Sequence, residues 1–133
     1  MKNFQFEIKS RYMFILDDDK FFLEFMKEKI KKELPWVKLK VFTDRKQLIS
    51  QMCKKPDLIL LDYNLGTENL IPINAHSVLV SIYNINPNQN VVFISDEKTS
   101  ALLDEYRKYR NIEYVLKSQS YSNDFLNILS KNM

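Results

Sequence analysis

Glycine occurs once in this sequence, at Gly66, and proline only four times. A chain so poor in both carries no long flexible linker, and its 133 residues are enough for one core and not two. Cysteine also occurs once, at Cys53, which excludes an internal disulfide and fits a reducing compartment. No His–Asn or His–Asp set surrounds it in the sequence, so Cys53 reads as a packing or surface residue. The single histidine, His76, has no partner for a histidine metal site and reads as a surface or helix-start residue. No apolar run approaches a membrane span, and the N-terminus lacks a small-residue cleavage pattern. A cytoplasmic protein with no membrane partner is therefore expected. A large excess of either charge is missing too. Twenty basic against seventeen acidic residues leave +3, too little to argue for nucleic acid. Lys27, Lys29, Lys31, Lys32, Lys38 and Lys40 are mostly interleaved with glutamate or set on a solvated helix face.

What is present is an ordinary globular composition, 45% hydrophobic and 28% charged, with several unbroken apolar runs. The clearest is Leu58-Ile59-Leu60-Leu61, which passes directly into Asp62-Tyr63-Asn64-Leu65-Gly66. A short continuous apolar run bounded by turn signals reads as a strand buried on both faces of a parallel sheet. Ending such a strand in aspartate places a carboxylate at the sheet's carboxyl edge, where open α/β folds hold ligands. Taken alone, Asp62 could equally be a turn former.

The chain in order shifts that balance. Residues 1–11 read as a tail or short extension. Tyr12-Met13-Phe14-Ile15-Leu16 is a strand ending in Asp17-Asp18-Asp19. Phe22, Met26, Ile30 and Leu34 then recur at helical spacing, with Asp19 placed to cap the helix and Pro35 to stop it. Trp36, next in line, reads as packing. Val37, Leu39 and Val41 alternate with lysines in a less buried edge strand. Thr43 or Asp44 can cap a helix through about Lys54, and the strand over 58–61 follows. Residues 67–74 form a polar loop, 75–84 a helix, 91–94 a strand ending in Ser95, and 99–109 a helix. Residues 112–116 form a strand ending in Lys117, and 120–130 a closing helix. Five β-α alternations predict a parallel sheet with helices on both faces.

Strand ends of a parallel sheet share one edge, so Asp17, Asp18, Asp62, Ser95 and Lys117 should converge there. Clustered carboxylates repel unless a cation compensates, and Mg²⁺ suits a site of few carboxylates plus waters. With Lys117 as a fixed positive charge and Ser95 as a hydroxyl donor, the set makes sense if Asp62 accepts a phosphoryl group.

In these motifs the chain resembles the receiver domains of two-component response regulators, over roughly residues 12–129. The matching positions are Asp17-Asp18 in Phe-Ile-Leu-Asp-Asp, Asp62 in Leu-Leu-Asp-Tyr-Asn-Leu-Gly, Ser95 in Val-Phe-Ile-Ser, and Lys117 in Tyr-Val-Leu-Lys. The resemblance implies a flavodoxin-like, doubly wound (βα)5 fold with a five-stranded parallel sheet in the order 2-1-3-4-5. It implies Asp62 as phosphoacceptor, with Ser95 and Lys117 assisting. Mg²⁺ would be held by Asp18 and Asp62, by Asp17 through water, and by the backbone carbonyl of Asn64. Ser95 and Tyr114 match the switch pair, and Asn64 and Glu97 match positions that tune aspartyl-phosphate hydrolysis. The implied donor is a phosphohistidine on a sensor kinase or phosphotransfer protein, and the implied output is a downstream protein partner. Such a receiver catalyses its own phosphorylation and dephosphorylation and turns over no external substrate. Because the chain ends after its last expected helix, action by binding another protein without an output domain is expected unless the chain is a fragment of a longer protein, and a homodimer is left open.

Three features depart from the family pattern. Ser118 stands where receivers carry a proline, usually after a cis bond, so a different loop path is expected. Asp96 follows Ser95 where a small residue is usual, and could repel incoming phosphate. Ala75 stands thirteen positions after Asp62, making residues 69–74 an insertion beside the site. Asp96 and Ser118 support an alternative: a degenerate pseudo-receiver that binds proteins independently of phosphorylation. A phosphatase with an aspartyl nucleophile is disfavoured, since Asn64 stands where a second acid would be needed. Tyr106, Tyr109, Tyr114 and Tyr121 gather on a surface that receivers use for partners, or pack on the sheet.

Overall fold

The computed structural model describes residues 10–62, 73–95 and 112–133, with the side chains of 73–75 excepted. Five strands form one parallel sheet: β1 (Arg11–Leu16), β2 (Val37–Phe42), β3 (Leu58–Asp62), β4 (Val91–Ser95) and β5 (Glu113–Leu116). Their order is β2-β1-β3-β4-β5, the doubly wound arrangement expected. The unbroken apolar runs became the central strands. β3 and β4 are buried along their whole length, while the lysine-bearing β2 lies at an edge.

Because side chains alternate across a strand, the runs feed two cores. Met13, Ile15, Leu60, Ile94 and Val115 face helix α1 (Lys20–Glu33) and the final helix α4 (Asn123–Lys131), meeting Phe22, Met26, Ile30, Phe125 and Leu129. Phe14, Leu16, Leu61 and Phe93 face α2 (Arg45–Ser50) and α3 (Ile73–Ile85), meeting Leu48, Val78, Leu79 and Ile82. Each such side chain taken fully out of water stabilises the fold by about 1.5–3 kcal/mol.

Asp19 caps α1 as expected, its Oδ1 accepting from the N–H groups of Phe21 and Phe22 at 3.0 and 3.2 Å. Asp44, rather than Thr43, caps α2 by accepting from the Lys46 N–H at 2.9 Å. Three boundaries differ from expectation. The helix expected through Lys54 stops at Ser50 and gives way to a 3₁₀ turn at Met52–Lys54. Lys55 then turns left-handed, at φ 55°, and ends the turn just before Pro56. α3 begins at Ile73, two residues before the expected Ala75. At the C-terminal end, Lys117–Tyr121 is a 3₁₀ turn, and α4 starts only at Asn123. The expected helix over 99–109 lies outside the described residues.

The base of the sheet is tied by Asp57. Its backbone N–H donates to the Tyr12 carbonyl at 2.7 Å, and its Oδ2 accepts the Tyr12 N–H at 2.8 Å. Cys53 and His76 lie at the surface, and Trp36, expected to pack, is 40% exposed.

Candidate functional site

Ile15, Leu60 and Val115 all belong to the core facing α1 and α4. Two residues beyond each stand Asp17, Asp62 and Lys117, so the pleat sends these three side chains to the same side of the sheet's carboxyl edge. β1 pairs with β3 at Leu16 and Leu61, and β4 pairs with β5 at Ser95 and Leu116. The topology thus gathers, from strands far apart in sequence, the residues that end them.

Lys117 Nζ lies 2.9 Å from Asp17 Oδ2 and 4.0 Å from Asp62 Oδ2. Asp17 is fully buried and Asp62 is 2% exposed. Asp17 Oδ1 accepts the Asp19 N–H at 2.8 Å, and the buried Oδ2 faces the Lys117 ammonium. Burial pushes the Asp17 carboxyl above its ordinary value of 3.8; the Asp19 N–H and Lys117 pull it back by less. The three consecutive aspartates therefore divide their work: Asp17 enters the site, Asp18 stays exposed at its rim, and Asp19 caps α1.

Asp17, Asp18 and Asp62 each offer one carboxylate oxygen, and these oxygens all lie within 4.8 Å of one another. Three carboxylate oxygens this close, two of the residues buried and one at the rim, fit a hard divalent cation of the Mg²⁺ class.

Ser95 is buried at the end of β4, in the alternation shared with Phe93, on the side facing α2 and α3. Tyr114, paired in register with Phe93, packs against that same core. The two residues singled out as a switch thus share one side of the sheet. Asn64, Asp96 and Glu97, and residues 69–72 of the expected insertion, lie outside the described residues, while 73 and 74 belong to α3.

The segment after Lys117 turns back at once. No peptide bond among the described residues is cis, and the segment closes on itself as the 3₁₀ turn. Ser120 Oγ donates to the Lys117 carbonyl at 2.6 Å, and Gln119 Oε1 accepts the Leu116 N–H at 3.0 Å. Sequence reasoning missed these two residues and also Phe22, whose ring centroid lies 4.8 Å from Lys117 Nζ. The one visible signal for Phe22 was its position three residues after the acidic run. A groove of about 490 Å³ between α2 and α3, bridged by Arg45 Nη1 donating to Ser77 Oγ at 3.0 Å, is lined by none of the acidic residues.

No family model and no curated protein matches the sequence. Solved structures do. The N-terminal domain of a response regulator/sensory box/GGDEF 3-domain protein from Carboxydothermus hydrogenoformans is similar with a TM-score of 0.71 and 21% identity, over 92% of this chain and 93% of that one. A CheY-like response regulator receiver domain protein from Methanospirillum hungatei JF-1 gives 0.70 and 15%, over 91% of each chain. The signal receiver domain of an HD domain-containing protein from Pseudomonas fluorescens Pf-5 gives 0.75 and 14%, over 98% and 92%. With five parallel strands in the same order, the fold of this chain is that of response regulator receiver domains.

Proposed function

We propose that this chain is a phosphoacceptor receiver of a two-component phosphorelay, taking a phosphoryl group on Asp62 from a phosphohistidine. The observation that carries this reading is the company Asp62 keeps: an ammonium at 4.0 Å and two further carboxylates within 4.8 Å, at the edge of a receiver fold. An Asp62 carboxylate oxygen attacks phosphorus in line while the P–N bond breaks and its electron pair returns to the imidazole. The ring nitrogen that is released takes a proton from water unless the other ring nitrogen already carries one, so the products are an acyl phosphate on Asp62 and a neutral histidine on the donor. Lys117, held between Asp17 and Asp62, is placed to meet the negative charge brought by the phosphoryl oxygens. Asp17, Asp18 and Asp62, with the Asn64 carbonyl, would hold Mg²⁺. That ion supplies neutralisation of the carboxylates and of the transferred group.

On this reading the Ser95 hydroxyl turns toward the phosphoryl group and Tyr114 follows it, which changes the surface offered to a protein target. Asn64 and Glu97 set the lifetime of the acyl phosphate. The test is transfer from a phosphohistidine protein. Label should leave the donor and appear on this chain, and Asp62→Asn should abolish it. A chain that never takes label but still binds a partner would instead fit the pseudo-receiver reading.

A further inference from the structure

Lysine carries a long stem with about 2 kcal/mol of rotamer entropy, so an ammonium held 2.9 Å from a buried carboxylate needs something to keep it there. We infer that Phe22 is a positioning residue for Lys117: its ring is the second wall of the seat that holds the ammonium against Asp17 and Asp62. Nζ lies 4.8 Å from the Phe22 ring centroid, and the Lys117 side chain is only 13% exposed. A ring face attracts a cation most strongly where water is excluded, as here.

The seat is built as one piece. Asp17 Oδ1 accepts the Asp19 N–H at 2.8 Å, and Asp19 Oδ1 accepts the Phe22 N–H at 3.2 Å. The anionic and aromatic partners of the ammonium therefore hang from one short, hydrogen-bonded stretch of backbone. The ring stack continues outward, Phe22 to Phe25 at 6.3 Å and Phe25 to Tyr121 at 4.8 Å. Tyr121 closes the 3₁₀ turn that begins at Lys117. α1 thus grips the lysine's segment twice, at the ammonium through Phe22 and at the far end of the turn through Tyr121.

The kinetic part of this inference rests on the phosphoacceptor reading, and the spectroscopic part does not. In the whole chain without metal, the ε-methylene protons of Lys117 should resonate upfield of every other lysine, shifted by the Phe22 ring current. Phe22→Tyr should keep that shift. Phe22→Leu, which keeps apolar bulk without a ring face, should lose it and lower the ¹⁵Nζ order of Lys117. In Mg²⁺-dependent labelling by acetyl phosphate, Phe22→Leu should be about three- to tenfold slower and Phe22→Tyr within about twofold of the parent chain. Tyr121→Ala, at an exposed position, guards against a variant that fails to fold and should act in the same direction with smaller size. Ordinary Lys117 shifts in the parent chain would overturn the inference. So would a Phe22→Leu protein that loses the shift yet keeps lysine order and full labelling rate. If no form of the chain is labelled, the phosphoacceptor reading fails, and the spectra still decide whether Phe22 seats the lysine.

Discussion

Lys117 Nζ sits 2.9 Å from Asp17 Oδ2 and 4.0 Å from Asp62 Oδ2, so one ammonium serves two buried carboxylates. Removing one partner of a buried pair leaves the other charge uncompensated. Lys117→Met should therefore destabilise the fold by about 3 kcal/mol near neutral pH. The loss should shrink in acid, where a protonated Asp17 no longer needs the cation. Urea unfolding at pH 4.5 and 7.5 checks this, and an equal loss at both would contradict it.

Asp17 itself makes a second prediction, with an unusual sign for a carboxylate. Its folded value lies above 3.8, so the folded chain holds the proton more tightly than the unfolded one. The stability this group contributes is complete below about pH 3.8 and is lost as pH rises through the raised folded value. Without divalent ions, Asp17→Asn should remove that loss while Lys117 keeps Asp62 as its partner, so the neutral-pH protein should gain stability. The difference between parent and variant melting temperatures, followed from pH 4 to 8, isolates this group from the other acids. A variant less stable than the parent throughout would refute the assignment.

Divalent metal should reverse that order. A ligand at a hundredfold excess over its Kd stabilises a protein by about 2.7 kcal/mol. Mg²⁺ should raise the melting temperature of the parent chain, and EDTA should return it. Asp17→Asn and Asp62→Asn should respond little, since each removes a carboxylate from the cluster. The same Asp17→Asn variant should thus melt higher than the parent without metal and gain less with it. An undiminished Mg²⁺ response in both variants would place the ion elsewhere.

Away from the site, Asp57 should matter more than its position before β3 suggests. Asp57→Ala leaves the Tyr12 N–H without its 2.8 Å acceptor and should cost about 1–3 kcal/mol. Asp57→Asn, which keeps a carbonyl oxygen, should recover most of that in a denaturant titration. Equal losses in the two variants would argue against the hydrogen bond as the cause.

Much of this architecture was legible in residue order. Val91-Val92-Phe93-Ile94 and Leu58-Ile59-Leu60-Leu61 had to be buried, and an aspartate placed just before the Phe22–Met26–Ile30 spacing had to cap a helix. Period-two alternation then carried Asp17, Asp62 and Lys117 to one edge. What escaped was decided by contacts that no period encodes. Asp57 reaches Tyr12 across 45 positions. Gln119, Ser120 and Ser122 bond to nearby backbone and hold a 3₁₀ turn where helical spacing alone suggested α-helix. Helical periodicity placed Phe22 in the core correctly, but it could not say that the ring's inner face would meet an ammonium arriving from β5.

The most direct test is intact mass after incubation with Mg²⁺ and acetyl phosphate. The account predicts that the parent chain gains one phosphoryl group, and that neither Asp62→Asn nor the parent in EDTA does. A phosphoryl gain in Asp62→Asn equal to that of the parent, or none in a folded parent chain that binds Mg²⁺ and is offered a phosphohistidine donor as well, would contradict it.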